Sequence, residues 1–208
     1  TPVVVANDTV TTGINFALYK PYFADVPIDF WARPFIHALY RSGITSGCGT
    51  DPLVYCPAAE VNRAQIAVFL GVAGHAPGFI PPPATGTIFQ DVPIDSWAAD
   101  WIELLWADGL TSGCATDPLR FCPDSPLSRA EMSVFLLGGK HGPGYQPPPA
   151  TGTVFTDVPI TYWAAAWIEE LAAEGITSGC APALFCPDDI VDRAQMAVFL
   201  VATYAIPY

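Results

Sequence analysis

Apolar residues recur along the chain in short helical patterns, and each pattern ends at a glycine or a proline-rich stretch. One such pattern has the spacing of a single helix face: Trp97, Trp101, Ile102 and Leu105. Gly109 follows where a left-handed residue would end that helix. Farther on, Ser128-Arg-Ala-Glu131 has the spacing of a capping box and precedes an apolar run. This part of the chain is therefore predicted to form a helix, a loop and a second helix.

The same pattern occurs three times, at equal intervals over most of its length. The motif Phe-x-Asp-Val-Pro begins at Phe23, Phe89 and Phe155. Polar residues that could cap the first helix follow it: Asp29, Asp95 and Thr161. Glycines that could end that helix come next: Gly43, Gly109 and Gly175. The candidate caps of the second helix are Asn62, Ser128 and Asp192. Six helices, two in each copy, are predicted.

Two nearly identical proline-rich stretches separate the copies, and triple proline favours an extended, semi-rigid spacer. The first 20 residues differ from the rest, because β-branched and aromatic residues are enriched there around Asn-Asp and Gly turns. They are predicted to be a β segment, either the tail of a preceding domain or a strand used in assembly. The predicted boundaries are a β segment at 1–20, repeats at 21–77, 88–143 and 154–208, and linkers at 78–87 and 144–153.

Composition narrows the classes of partner. The chain has a net charge of −12, with 51% hydrophobic and 13% charged residues, so a nucleic-acid binder with a broad basic face is excluded. Docking onto an anionic membrane surface is disfavoured for the same reason. No apolar run is long enough to predict a membrane span. Because no initiator Met is present, we expect Thr1 to begin a mature or trimmed chain.

The six cysteines form three pairs at equivalent places, each pair flanking the loop between two helices. The pairs are Cys48 with Cys56, Cys114 with Cys122, and Cys180 with Cys186. Zinc sites use closer spacings and nearby histidine or cysteine partners, which these pairs lack. Disulfides are therefore favoured over metal ligands, and they predict an oxidising, extracytoplasmic location.

These motifs together carry a family resemblance. The Phe-x-Asp-Val-Pro motif, the tryptophan eight residues after its phenylalanine, Gly-Ile/Leu-Thr-Ser-Gly and x-Arg-Ala-Glu/Gln resemble three tandem S-layer homology modules over residues 23–203. The resemblance implies a mainly α fold in which three helix-loop-helix repeats form a pseudo-threefold bundle. It also implies non-covalent attachment of exported proteins to cell-wall polysaccharide, often bearing pyruvate ketals, and an extracellular location at the cell surface.

The resemblance further implies glycan-binding residues in grooves between the modules. In this sequence the matching residues are Arg63, Arg129 and Arg193; Trp31, Trp97 and Trp163; and Gly47, Gly113 and Gly179. Each arginine is at the first position of a predicted helix, where its charge opposes the helix dipole and needs compensation. A ligand carboxylate bound by the arginine and the helix N-terminus is one source. An ion pair with Asp25, Asp91 or Asp157 of a neighbouring copy is the other.

For the other candidate residues, a structural role stands as the alternative to a role in binding. The tryptophans could stack on sugar faces, or they could anchor each first helix to the core. The three aspartates before Val-Pro are expected to bond their own backbone in a turn, with a weak calcium role as the alternative. His37 is expected on a helix surface, while His75 and His141 occupy matching positions before the linkers.

No catalytic motif and no cofactor motif occurs in the sequence, so an enzyme is not expected. The favoured function is a non-catalytic anchor that binds cell-wall polysaccharide. The alternative is a structural module that contacts other proteins, including copies of this chain, with the N-terminal strand completing a neighbour's sheet.

Overall fold

The computed structural model of this chain describes residues 22–76 and 78–208. The N-terminal β segment predicted at 1–20 lies outside these residues. Within them the helices are α1 Arg33–Arg41, α2 Arg63–Gly74, α3 Ala99–Ala107, α4 Arg129–His141, α5 Ala165–Ala173 and α6 Arg193–Thr203. Two small antiparallel hairpins complete the regular structure, β1 Gly49–Thr50 with β2 Leu53–Val54, and β3 Ala115–Thr116 with β4 Leu119–Arg120. The prediction of a mainly α fold is confirmed, whereas the hairpins were not predicted.

The even-numbered helices begin where the sequence predicts. The side chains of Asn62, Ser128 and Asp192 each accept a hydrogen bond from the backbone N–H three residues later. At Asn62 and Ser128 the third residue also accepts from the capping residue's own N–H, so the box is complete there. These caps are local in sequence, which explains why the pattern identifies them.

The odd-numbered helices begin later than predicted, and the caps assigned to Asp29, Asp95 and Thr161 are wrong. Ala32, Ala98 and Ala164 precede these helices, and none has a side-chain cap. The residues before each of these helices form two consecutive turns. In the first copy the N–H of Phe30 donates to the carbonyl of Pro27, and the N–H of Arg33 donates to the carbonyl of Phe30. The predicted glycine stops are confirmed, since Gly43, Gly109 and Gly175 have φ of 75°, 69° and 70°.

Each even-numbered helix packs on an odd-numbered helix from a different part of the chain. Helix α2 packs on α3, α4 packs on α5, and α6 returns to pack on α1. Helix α4 also contacts both α2 and α6. One continuous hydrophobic core runs through all three helix pairs, and it includes the fully buried Phe23, Ile102 and Leu171. Helices α1 and α6, the first and last within the described residues, are therefore held together by the same core.

Three backbone hydrogen bonds form a closed cycle between the segments that precede α2, α4 and α6. The N–H of Val61 donates to Val191, that of Val191 to Leu127, and that of Leu127 back to Val61, each at 2.9 Å. A longer-range bond joins the same ends of the chain, because the Tyr55 hydroxyl donates to the carbonyl of Arg193 at 2.8 Å. Residues far apart in sequence are thus fixed to one another by directional bonds.

The proline-rich segments are fastened to the helix that follows them. The N–H groups of Thr85 and Gly86 donate to the carboxylate of Glu103 on α3 at 2.6 and 2.7 Å. Thr151 and Gly152 donate in the same way to Glu169 on α5. The segments are therefore docked along the fold rather than extended as free spacers.

The end of α4 is tied to the end of α5 by a small ionic cluster. Lys140 Nζ and His141 Nε2 lie 2.7 and 2.5 Å from the two carboxylate oxygens of Glu174. Burial alone would raise the pKa of Glu174, but hydrogen bonds and charge from these two residues outweigh it and lower the pKa. A carboxylate whose pKa is lowered on folding stabilises the protein above its unfolded pKa, and this contribution is lost as the pH falls through the folded value.

We therefore expect the free energy of unfolding to decline as the pH falls below about 4.5, the ordinary value for this side chain. Glu174→Gln should be less stable than the wild type at pH 7, and this difference should shrink towards pH 3. Urea denaturation across this range measures the effect, with Glu60→Gln as a control at an exposed glutamate. Parallel pH profiles for wild type and Glu174→Gln would refute the assignment.

Candidate functional site

The loop between each pair of helices is held by an aspartate from the Phe-x-Asp-Val-Pro motif. Both carboxylate oxygens of Asp25 accept backbone N–H groups, from Tyr55 at 2.7 Å and from Cys56 at 2.6 Å. Asp91 and Asp157 make the same two bonds in their own loops. The expectation that these aspartates bond their own backbone is wrong, because their partners are about thirty residues later in the chain.

Disulfides close the same loops. Cys48–Cys56, Cys114–Cys122 and Cys180–Cys186 are bonded, with Cα atoms 6.0 Å apart in each pair, so the predicted pairing is confirmed. Asp25 and Asp91 each lie near two of these sulfurs, a grouping that could hold a metal ion if the sulfurs were thiolates. In the disulfide-bonded form the sulfurs are not available as thiolate ligands.

Glycine is required at the turn that follows each odd-numbered helix. Gly47, Gly113 and Gly179 have φ of 94°, 83° and 99°. A Cβ at Gly113 would collide with the carbonyl oxygen of Arg120, and the other two meet an equivalent oxygen. The N–H of Gly113 donates to Thr111 Oγ1 at 3.1 Å, a bond that shapes the turn and is repeated in the other two loops. These glycines let the turn approach the following strand or loop closely.

Each motif arginine inserts its guanidinium group into a neighbouring segment. Nε of Arg63, Arg129 and Arg193 donates at 2.8 Å to the carbonyl of Phe121, Phe185 and Tyr55 respectively. Two aromatic rings lie beside each guanidinium. For Arg129 they are those of Phe185 and Phe199, with centroids 4.7 and 5.3 Å from Cζ. Burial lowers the pKa of all three arginines from the ordinary value. They nevertheless stay charged at neutral pH.

The aspartates of the neighbouring copies compensate the arginine charges in part, but without forming ion pairs. Burial lowers the pKa of Arg63, Arg129 and Arg193, and the charges of Asp91, Asp157 and Asp25 respectively act against it. Within the described residues, no motif arginine forms a salt bridge with Asp25, Asp91 or Asp157, whose oxygens bond backbone N–H groups instead. The helix N-termini are not free to bind an anion either, because the N–H groups at the first two positions of α2, α4 and α6 donate to loop carbonyls of other segments. The surroundings of each buried charge are therefore a carbonyl oxygen, two aromatic rings and a carboxylate beyond ion-pair distance, and Arg63 alone among the motif arginines adds a salt bridge, with Glu131 at 3.2 Å, in the part of the chain described.

The three motif tryptophans are exposed. Trp31, Trp97 and Trp163 lie just before α1, α3 and α5 and are 58%, 65% and 62% exposed. The alternative that they anchor helices to the core is wrong, and Trp97 does not belong to the buried face of α3. Exposed indole rings held at the start of a helix are available to stack on a ligand.

Three grooves each combine one tryptophan, one arginine and one glycine turn from three different segments. We name each by its arginine. The Arg129 groove contains Trp31 and the turn at Gly179; the Arg193 groove contains Trp97 and the turn at Gly47; the Arg63 groove contains Trp163 and the turn at Gly113. Their volumes are about 410, 340 and 250 Å³. The residues singled out in the sequence are thus brought together, one of each kind per groove.

The grooves also contain residues that the sequence reasoning did not select. The third residue of the Arg-Ala-Glu/Gln motif lines each groove, as Gln195, Gln65 and Glu131 in the Arg129, Arg193 and Arg63 grooves. Serine and threonine of the glycine turns and a valine and phenylalanine of the even-numbered helix complete the lining. The sequence could have identified these residues, because they belong to the same repeated motifs as the residues that were selected.

None of the three histidines lines one of these grooves. His37 is buried on α1 against Tyr22, so its predicted surface position is wrong, and burial with the charges of Arg33 and Arg41 lowers its pKa. His75 and His141 stack on Phe79 and Tyr145 at 4.1 Å between ring centroids. In the described part of the chain no helix is both long and apolar enough to cross a membrane.

Comparison with known proteins places part of this fold in a family. The S-layer homology domain model matches residues 154–197, which contain α5, the third disulfide loop and the start of α6. A "Cell surface protein" of Thermoanaerobacter kivui is 31% identical over 125 residues, or 60% of this chain. The match covers 16% of that protein's length. Together these similarities indicate a location at the cell surface, and they identify residues 154–197 as an S-layer homology domain.

Proposed function

We propose that this chain is a non-catalytic anchoring module that binds cell-wall polysaccharide in the three grooves. The observation that carries the proposal is the meeting of an exposed tryptophan, an arginine and a polar glycine turn in each groove. A flat indole suits the apolar face of a sugar ring, while the arginine and the turn suit its acidic and hydroxyl groups. The disulfides support an extracytoplasmic location, where such a polymer is found.

The proposal includes three S-layer homology repeats arranged around a pseudo-threefold axis. The cycle of bonds among Val61, Leu127 and Val191 supports this arrangement, because equivalent residues donate in turn to one another. The three Nε–carbonyl bonds of the motif arginines close a second cycle in the opposite direction, because the arginine of each repeat donates to the repeat that follows it and the third donates back to the first. Under this arrangement each groove lies where three repeats meet, so an intact ring of repeats is needed to form any groove.

The charge distribution makes binding local. With a net charge of −12, the chain repels an acidic polymer in bulk, and attraction is confined to the arginines that line the grooves. Several weak sites on one chain can then hold one polymer strongly, because the second contact forms at high effective concentration. An anchor of this kind is reversible and needs no covalent bond.

The test is co-sedimentation with purified cell-wall polysaccharide. Replacing Trp31, Trp97 and Trp163 together by alanine should weaken binding by more than about tenfold, because three stacking contacts are lost from exposed positions. The fold should survive, which circular dichroism would verify. Ile80→Ala is the control, since Ile80 is 83% exposed and lines none of the grooves. Binding unchanged in the triple variant would refute the proposal.

A further inference from the structure

Two of the three disulfide loops place a carboxylate beside their paired sulfurs. In the first loop an oxygen of Asp25 and the sulfurs of Cys48 and Cys56 all lie within 4.8 Å of one another. The second loop has the same grouping, formed by Asp91, Cys114 and Cys122. Ligand atoms around a tetrahedral zinc ion are about 3.5 Å apart, because each lies about 2.0–2.3 Å from the metal. Once the sulfurs are thiolates, small side-chain movements bring the three atoms to these separations.

The loop itself holds the aspartate in position. The two oxygens of Asp25 accept the N–H groups of Tyr55 and Cys56 at 2.7 and 2.6 Å. An ionised carboxylate has about four lone-pair sites, so these two bonds leave sites for a metal ion. Hydrogen bonds to a ligating carboxylate are usual in metal sites, where they fix its orientation. Cys48 is exposed and Asp25 is half-buried, so water has access to a fourth position on the metal.

The third loop has the aspartate bonds without the metal grouping. Asp157 accepts the N–H groups of Phe185 and Cys186 at 2.8 and 2.7 Å. Its oxygens do not form such a group with the sulfurs of Cys180 and Cys186 in the described structure. The cysteines of this loop are 6 positions apart, against 8 in the other two, and the sulfur of Cys180 lies 3.4 Å from the carbonyl oxygen of Leu184. The third loop therefore serves as a control within the same chain.

We infer that the reduced chain binds one Zn²⁺ ion in each of its first two loops, through two thiolates, one aspartate and a water molecule. Thiolates select zinc over the cations that prefer oxygen ligands. Binding releases the two thiol protons, as metal binding to cysteine does in general. This inference does not depend on the proposed function, because it concerns the loops before their disulfides form.

Oxidation and metal binding exclude one another in these loops. A small disulfide donor takes up two electrons, and two protons from the solvent, and becomes two thiols, while Cys48 and Cys56 form their bond and the zinc ion leaves. Each loop is thus closed in both states, by the metal ion before oxidation and by the disulfide after it. Because Gly47 directly precedes Cys48, the glycine turn of the Arg193 groove is held in both states.

Cobalt is the probe for these sites, because Co²⁺ bound by thiolates has a charge-transfer absorption that disappears when Zn²⁺ displaces the cobalt. The full chain is reduced with a phosphine, which becomes its oxide and is then removed, and oxygen is excluded. We expect two metal ions per reduced chain and none in the disulfide-bonded protein. Cys180→Ser with Cys186→Ser should leave the number at two, whereas Cys114→Ser with Cys122→Ser should lower it to one.

The aspartates give the sharper test. Asp25→Asn and Asp91→Asn should each weaken one site by at least about tenfold, because loss of a ligand costs at least as much as loss of a group that orients one. Asp157→Asn is the matched control, since it disturbs the same pair of N–H bonds in the third loop and should leave both sites unchanged. Circular dichroism of each variant with its disulfides intact verifies that it folds.

Zinc should also raise the urea concentration at which half of the reduced wild type is unfolded, since metal binding adds to the free energy of unfolding. A variant with all six cysteines replaced by serine should show no rise. Any stoichiometry other than two, or an equal effect of all three aspartate variants, would overturn the inference. So would an unchanged midpoint in the wild type, because zinc would then be held by thiols of the unfolded chain.

Discussion

Asp91→Ala is expected to lower the free energy of unfolding by about 2–5 kcal/mol, a large part of the stability of a small domain. The carboxylate of Asp91 accepts the N–H groups of Phe121 and Cys122, both at 2.8 Å. These donors belong to the loop that joins α3 to α4, and neither has a second acceptor in the described structure. Each unpaired buried donor costs about 1–3 kcal/mol. Urea denaturation followed by circular dichroism measures the change.

Asp95→Ala is the matched control. It removes the same side chain four residues later, at an exposed position with no hydrogen bond to its carboxylate in the described structure. Both variants lower the net negative charge by one, so any relief of charge repulsion is common to them. The control should remain within about 0.5 kcal/mol of the wild type. Equal stability of the two variants would show that the Asp91 bonds do not hold the loop.

Reducing all three disulfides is expected to cost roughly 7 kcal/mol in total, enough to unfold much of the protein at room temperature. The bridged cysteines are separated by 8, 8 and 6 residues, and closing a loop of this size restricts the unfolded chain by roughly 2–3 kcal/mol per bridge. The loops do not overlap, so their effects should be nearly additive. Denaturation in urea with and without a phosphine reductant measures the difference.

A variant that lacks one bridge, Cys180→Ser with Cys186→Ser, should lose roughly one third of that free energy of unfolding. A variant with all six cysteines replaced by serine serves as the control for direct effects of the reductant, because it should be insensitive to the reductant. A total loss below about 1 kcal/mol on reduction would mean that the aspartate bonds hold the loops without the bridges.

The sequence predicted those parts of the fold whose causes are local. The caps of α2, α4 and α6 follow from bonds between residues three apart, and the glycines after the odd-numbered helices follow from one left-handed residue. The predicted starts of the odd-numbered helices were wrong because two consecutive turns precede these helices. Burial of His37 also could not be read from spacing, since it depends on a packing arrangement that the chain forms only when folded.

The sequence identified most residues of the candidate site, but it did not predict how residues from different copies combine in one groove. Repetition identified the arginines, tryptophans and glycines, yet the pattern does not say which copy supplies which member of a groove. The compensation of the arginine charge was predicted in part: the aspartates of neighbouring copies act on the arginines by their charge, but their oxygens bond loop N–H groups, and the helix N-termini bond carbonyls of other segments. Glu131 stands where the other two copies have Gln65 and Gln195. The salt bridge that it forms with Arg63 could not be predicted from the repeat pattern, which does not show which residues face each other.

The cycle of hydrogen bonds among Val61, Leu127 and Val191 has a mechanical consequence. Tandem modules joined only by linkers yield to tension one after another, each at its own threshold. Here each segment both donates to one neighbour and accepts from the other, so pulling any one of them away breaks two of these bonds together. Under the proposed anchoring function, a force applied at one segment is therefore shared among all three segments of the cycle.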